Sequence, residues 1–425
     1  MTSVAKRQQA SVAYPAALSE NRPWSIKQRR FVLFILFATC IFFNRLLDED
    51  RNLYASHVAT LGLFFVSGLA WTSLRKRGPS SHARTARKFL YSVAIAYILW
   101  RIIGSRENEW FFGESAKLAL ILMAFVAYRI LDHDGTIFPF ICRLLPPMVA
   151  IAIVAALFQR GVAGELFNER LSVESLGSSV ALGYMAGTLL AFHLWALVSK
   201  PKVLWWYGVL LVLIVGLLFA FARSGVLAAG IILAFYFGAF PAKQFRHKLA
   251  LGAIILLIAV SSTSLVIEGY SISERFSLQS LSLSGREAIW ESWLDILKEG
   301  KFLLLGAGLG AFKPVSEATG YFMRDPHNIF LDMLMTFGLI GVAMYLILLV
   351  GLWRNIRKDS DRLRRALLLG LFWAYVVTDM FDTHWRQSEL LWYTAYMFHL
   401  FAIDRNQAVV RTATNLKNSS PASGV

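Results

Sequence analysis

One histidine, two arginines and a short stripe of polar side chains are the residues whose types and spacing could do chemistry here. In DPHN (325–328), Asp325 can cap a helix and Pro326 suits its first position. That places His327 in the first turn, where the helix dipole disfavours the imidazolium. A neutral imidazole is the form that a general base requires. Asn328, Asp332 and Thr336 follow at four-residue steps. They draw one polar stripe down an otherwise apolar helix, and inside a membrane such a stripe must face other helices or water. The plainer reading is that His327 and Asn328 only finish a helix end.

Arg286 opens a second candidate. Ser284 and Glu287 form an S-x-x-E capping box, which predicts a helix start, and Gly300 predicts its stop. On a helical wheel Ile289, Trp290, Trp293, Leu294, Ile296 and Leu297 share one broad face. Glu287, Glu291, Asp295, Lys298 and Glu299 take the other. Such a helix lies along a membrane surface or caps a membrane domain. Arg286 falls at the centre of the apolar face, where a cation points to lipid headgroups or to the bundle. It could snorkel there, or it could bind an anion.

Arg223, in FARSG (221–225), stands between two apolar runs with almost no loop separating them. Beside Arg286 it could complete a clamp for phosphate, because guanidinium groups grip phosphate oxygens in pairs. Asp379, Asp382, His384 and Arg386 join Asn328 and Asp332 at the same end of the apolar runs. Lys313 and Arg324 are further cations on that side, with a structural reading favoured for both. His57 and His193 are lone histidines on apolar helices and read as packing residues. GAGLG (306–310) lacks the Lys-Ser/Thr and the βαβ frame of a nucleotide loop. No histidine, cysteine or carboxylate pattern suggests a metal site.

The elements that must position these residues are membrane helices. The chain has 425 residues, 56% of them hydrophobic and 16% charged. Apolar runs long enough to cross a bilayer recur throughout. Twelve spans are predicted, near 31–47, 53–74, 89–103, 116–131, 138–158, 177–198, 203–222, 224–240, 249–267, 327–353, 366–383 and 388–403. The net charge of +16 sits mostly in short loops, notably 75–88 and 354–365 with six basic residues each. The positive-inside rule explains that placement, so both termini are predicted inside and 268–326 outside. The segment DHDGTI (132–137) is the exception, with no basic residue. No separate basic domain suggests nucleic acid. Cys40 and Cys142 lie inside apolar runs and imply no disulfide framework. The chain thus divides into a basic tail (1–30), spans one to nine (31–267), a large outer loop (268–326), spans ten to twelve (327–403) and a polar tail (404–425). No cleavage site follows the first span, which is read as retained.

Four motifs in order carry a family resemblance. FARSG, then SGRE-x-x-W-x-x-W from Ser284, then LLGAGLGAF (304–312), then PHN with GLIG (338–341) after it resemble the O-antigen ligase and polymerase superfamily. The resemblance covers residues 200–350. It implies an all-helical glycosyltransferase of the C type in the bacterial inner membrane, multi-pass, its active site toward the periplasm. It further implies a glycan donor on undecaprenyl diphosphate and an acceptor hydroxyl on the lipid A core or another glycan, with neither cofactor nor metal. In that frame His327 is the base and Arg223 and Arg286 hold the diphosphate. Asn328, Asp332, Asp382, His384 and Arg386 are candidate supporting residues. Thr336 departs from the pattern, standing where the family often carries an acid. Ligation to the lipid A core is the favoured branch. Repeat-unit polymerisation and transfer to protein are its rivals, with non-catalytic lipid transport a more distant one.

Overall fold

Apolar segments that must satisfy their own backbone in lipid fold as helices, and helices dominate the computed structural model. It describes residues 25–42, 46–48, 53–54, 58–62, 111–132, 137–165, 170–173, 176, 178–199, 205–220, 222–239, 266–267, 270–271, 286–298, 300, 302–309, 326–381 and 390–403. The helices, numbered within this set, are α1 (Ile26–Phe42), α2 (Phe111–Leu131), α3 (Phe138–Ala163), α4 (Ser179–Ser199) and α5 (Trp205–Ala220). They continue with α6 (Arg223–Ala239), α7 (Arg286–Lys298), α8 (Ile329–Arg357), α9 (Arg362–Asp379) and α10 (Leu391–Ala402). Two short antiparallel ladders, Leu46–Asp48 with Leu53–Tyr54 and Val266–Ile267 with Tyr270–Ser271, accompany them, and residues 58–62 are helical as well.

Three of these helices, α3, α4 and α8, are long and apolar enough to cross a membrane, and the chain is a helical membrane protein. Nine of the twelve predicted spans coincide with a described helix, within a few residues at each end. Those near 53–74, 89–103 and 249–267 fall wholly or mostly outside the described residues.

Helix α4 lies at the centre. It is buried almost all round, as a helix apolar on every face must be, and it packs against α3, α5, α6 and α9. Its approach to α6 is close enough that a Cβ on Gly187 would run into the carbonyl of Gly225. His193, fully buried on α4, sets its Nε2 2.9 Å from the carbonyl oxygen of Trp206, the position of a packing histidine.

Helices α6 and α9 run antiparallel, because the last turn of α6 and the first turns of α9 line one cavity. Gly370 faces Ile232, whose Cα would lie 3.1 Å from an added Cβ. The two positions stand equally far from Asp379, the end of α9, and Arg223, the start of α6. Arg223 and Asp379 are therefore level.

Helix α8 is not continuous. Gly338 takes φ 67 and ψ −170, a conformation open to glycine alone at no steric penalty. The rings of Phe330 and Tyr345 then meet at 6.0 Å, whereas an unbroken helix would hold their Cα atoms about 22 Å apart. The first half, 329–337, thus folds sharply across the end of the second. The second half, 339–357, is about 28 Å long, the thickness of a hydrocarbon core. The span expected near 327–353 coincides with α8, and the break at Gly338 divides it.

The opposite end of the bundle is tied through Asp132 and Ile137, the two described residues of DHDGTI. Asp132 Oδ1 accepts the backbone N–H of Ile137 at 2.9 Å, and its Oδ2 lies 3.5 Å from His399 Nε2, both side chains buried. Buried Arg29 donates to the carbonyl of Leu131 at 2.7 Å, and Arg129 donates to that of Ala402 at 3.1 Å.

Candidate functional site

Helix α7 begins at Arg286 and ends at Lys298, with Gly300 at φ 74 donating its N–H to Leu297 O at 3.0 Å. The predicted stop is the observed one. Ile289, Trp293 and Leu297 are buried against Met335 of α8, with Trp290, Ala307 and Leu334 around them. Glu291, Asp295 and Lys298 are exposed, as expected. Leu294 differs: it was expected on the packed face and is 43% exposed. The contact uses one residue per turn, so a leucine one step round the helix stays outside. Ser284 of the capping box lies outside the described residues.

Trp290 fixes where this helix sits. Its indole Nε1–H donates to the carbonyl of Pro326 at 2.7 Å. Pro326 immediately precedes His327, and Arg286 stands one helical turn before Trp290 on the same face of α7. The N-terminal turn of α7 and the segment 326–328 are thereby held together. Sequence reasoning gave Trp290 only a packing role. The available signal was an indole N–H, a group that seeks an acceptor when buried.

The helix that follows starts three residues later than expected. Asn328, with φ −152 and ψ 115, is the N-cap, and its Oδ1 accepts from the N–H groups of Phe330 and Leu331 at 2.9 and 3.2 Å. Asp325 lies outside the described residues, and His327 is not in the first turn but just before the cap. The amide of Asn328 reaches two helix donors at once. His327 adopts φ 49, the one positive φ of a non-glycine residue among those described. Such backbone strain collects at functional sites. Its side chain is half-buried. The polar stripe faces protein, as expected: Asp332 and Thr336 are fully buried.

The glycine-rich stretch turns out to be the partner of the break in α8. Ala307 N–H donates to Met335 O at 2.6 Å and Gly308 N–H to Thr336 O at 3.1 Å. In return the N–H groups of Leu339 and Ile340 donate to Leu303 O and Leu304 O, at 2.9 and 3.4 Å. The loop 302–309 occupies the gap and satisfies the groups that the break at Gly338 releases. Gly306, at φ 74, packs so close that a Cβ would lie 2.5 Å from the Thr336 carbonyl carbon.

Arg223 is the first residue of α6, half-buried, three residues after α5 ends. It shares a level with Asp379, which lies in a buried cluster. Tyr375 and Tyr345 lie close to Asp379, and the ring of Tyr345 meets Phe330, two residues after Asn328. Arg223 and His327 thus stand at one end of the bundle. Asp382, His384 and Arg386 lie outside the described residues, as do Lys313, Arg324 and His57. The backbone of Arg286 is placed, but its side chain is not described.

Residues 208–346 match a family model described as O-antigen ligase. No curated protein matches the chain. The matched stretch runs from α5 through Arg223, α7 and the glycine loop to the broken α8, and over that stretch the chain is similar to O-antigen ligases.

Proposed function

We propose that the protein transfers a glycan from undecaprenyl diphosphate to a sugar hydroxyl of the lipid A core, at the periplasmic face of the bacterial inner membrane. The observation that carries this reading is the bond from Trp290 to the Pro326 carbonyl. It holds the helix that begins with Arg286 against His327.

In this mechanism Arg223 and Arg286 neutralise the diphosphate as it departs. His327 accepts the proton of the acceptor hydroxyl while that oxygen attacks the anomeric carbon. The bond from that carbon to the diphosphate oxygen breaks with its electron pair, undecaprenyl diphosphate leaves, and direct displacement inverts the anomeric centre. The donor carries its own leaving group, so the step needs no second activated compound. Asn328 sets the start of α8 and so the placement of His327. Asp332, Asp382, His384 and Arg386 are the supporting residues to test after these.

Purified protein in detergent, given lipid-linked oligosaccharide and lipid A core, should form a new glycan–core bond and release undecaprenyl diphosphate. Growth of the glycan on its carrier instead would make the protein a polymerase. Loss of neither substrate, with movement of the lipid across vesicles, would end the enzymatic reading.

A further inference from the structure

We infer that the loop 303–305 is inserted among the lipid acyl chains on the site side of the bilayer, as a re-entrant anchor beside α8. The inference rests on the level of the loop and on its exposure, and it is independent of the glycan chemistry. Leu303, Leu304 and Leu305 are 40%, 60% and 38% exposed, three consecutive leucines that the fold does not cover. Their level is set by the backbone, because Leu303 O and Leu304 O accept the N–H groups of Leu339 and Ile340. Those two residues begin the part of α8 that runs about 28 Å to Arg357, so the leucines stand where the hydrocarbon core ends.

The surface is also continuous with one that lipid must cover. Leu339, Leu346 and Val350 are each more than 40% exposed, and their spacing of seven and four residues stacks them on one face of α8. An apolar stripe therefore descends the membrane-crossing half-helix, and the leucine loop extends its upper end. The occupant is the same along the whole stripe, namely acyl chains. At that depth each backbone group needs a partner, and pairing with the broken α8 supplies one to Leu303 O and one to Leu304 O.

The test places a cysteine at Leu304 in the full chain, with Cys40 and Cys142, both buried, left in place. The cysteine is labelled with an environment-sensitive fluorophore, and the protein is reconstituted in phosphatidylethanolamine–phosphatidylglycerol vesicles. Emission at 304 should shift to the blue, be quenched by nitroxide high on the lipid acyl chain, and resist aqueous iodide. The same label at Glu291, on the exposed polar face of α7, should show the opposite pattern. Quenching at 304 by iodide and not by lipid nitroxide would overturn the inference by placing the loop in water. Protection from both quenchers would overturn it by showing a protein cover.

Discussion

His327 holds φ 49, a region that side chains other than glycine enter at roughly 1–2 kcal/mol. A residue kept there for folding alone would be better replaced. His327→Gly should therefore raise the unfolding free energy in detergent by about 1 kcal/mol, while transfer is lost. His327→Asn is the sharper control, since Asn tolerates the left-handed region and keeps hydrogen bonding. If the imidazole is the base, Asn should lower the rate by on the order of 10² to 10⁴ with stability unchanged; an active Asn variant would move the base elsewhere. The wild-type rate should also fall as acid protonates the ring, since an imidazolium cannot accept the hydroxyl proton. Trp290 offers a separate test. Trp290→Phe keeps the apolar contact and removes the donor to Pro326 O, which should reduce stability by about 1 kcal/mol. Turnover should fall by a larger factor than that predicts, because Arg286 and His327 are no longer held in register; equal activity would remove Trp290 from the site.

At the scale of elements, the glycine loop and the broken helix behave as one unit. A Cβ on Gly338 would collide with the Leu304 carbonyl, and its φ of 67 is strained for any other residue. Gly338→Ala should cost several kcal/mol, on the order of 3 or more, from clash and backbone strain together. Gly351→Ala, on the same helix with open space around it, should be neutral or gain at most about 1 kcal/mol. Thermal unfolding of the two variants in detergent checks the pair, and similar stability would show that the break is dispensable. Much of this region was legible in sequence. The apolar periodicity of 286–299 and Gly300 after it gave α7 almost to the residue, and the i+4 polar stripe gave the protein-facing side of α8. The break was not legible. Gly338 sits in an apolar run where glycine also occurs in unbroken helices, and the loop pairs through backbone groups that leave no side-chain pattern. The cap was misassigned for a related reason: aspartate and asparagine both cap helices, and only the geometry shows whose oxygen reaches the N–H groups of Phe330 and Leu331.

Across the whole molecule, the two ends of the bundle are held by different chemistry. The end away from His327 is tied by Asp132, His399, Arg29 and Asn355, the last donating to both Phe401 O and Ile403 O at 2.8 Å. Asp132→Ala would strand the Ile137 N–H and the buried His399 ring, a loss on the order of 3 kcal/mol. Because this end is a membrane's thickness from His327, the surviving folded protein should transfer glycan at the wild-type rate; a fall in kcat per folded molecule would show that the ends communicate. The break at Gly338 carries a consequence for biogenesis. Ribosomes make chains from the N-terminus, so 303–308 is synthesised before Leu339 and Ile340 emerge. When the half-helix 339–357 enters the bilayer, the carbonyls that its first N–H groups need already exist on a segment made ahead of it. Had the order been reversed, those N–H groups would have met lipid with no acceptor. The direction of translation thus lets the half-helix close its own exposed end on arrival, with no wait for a later part of the chain.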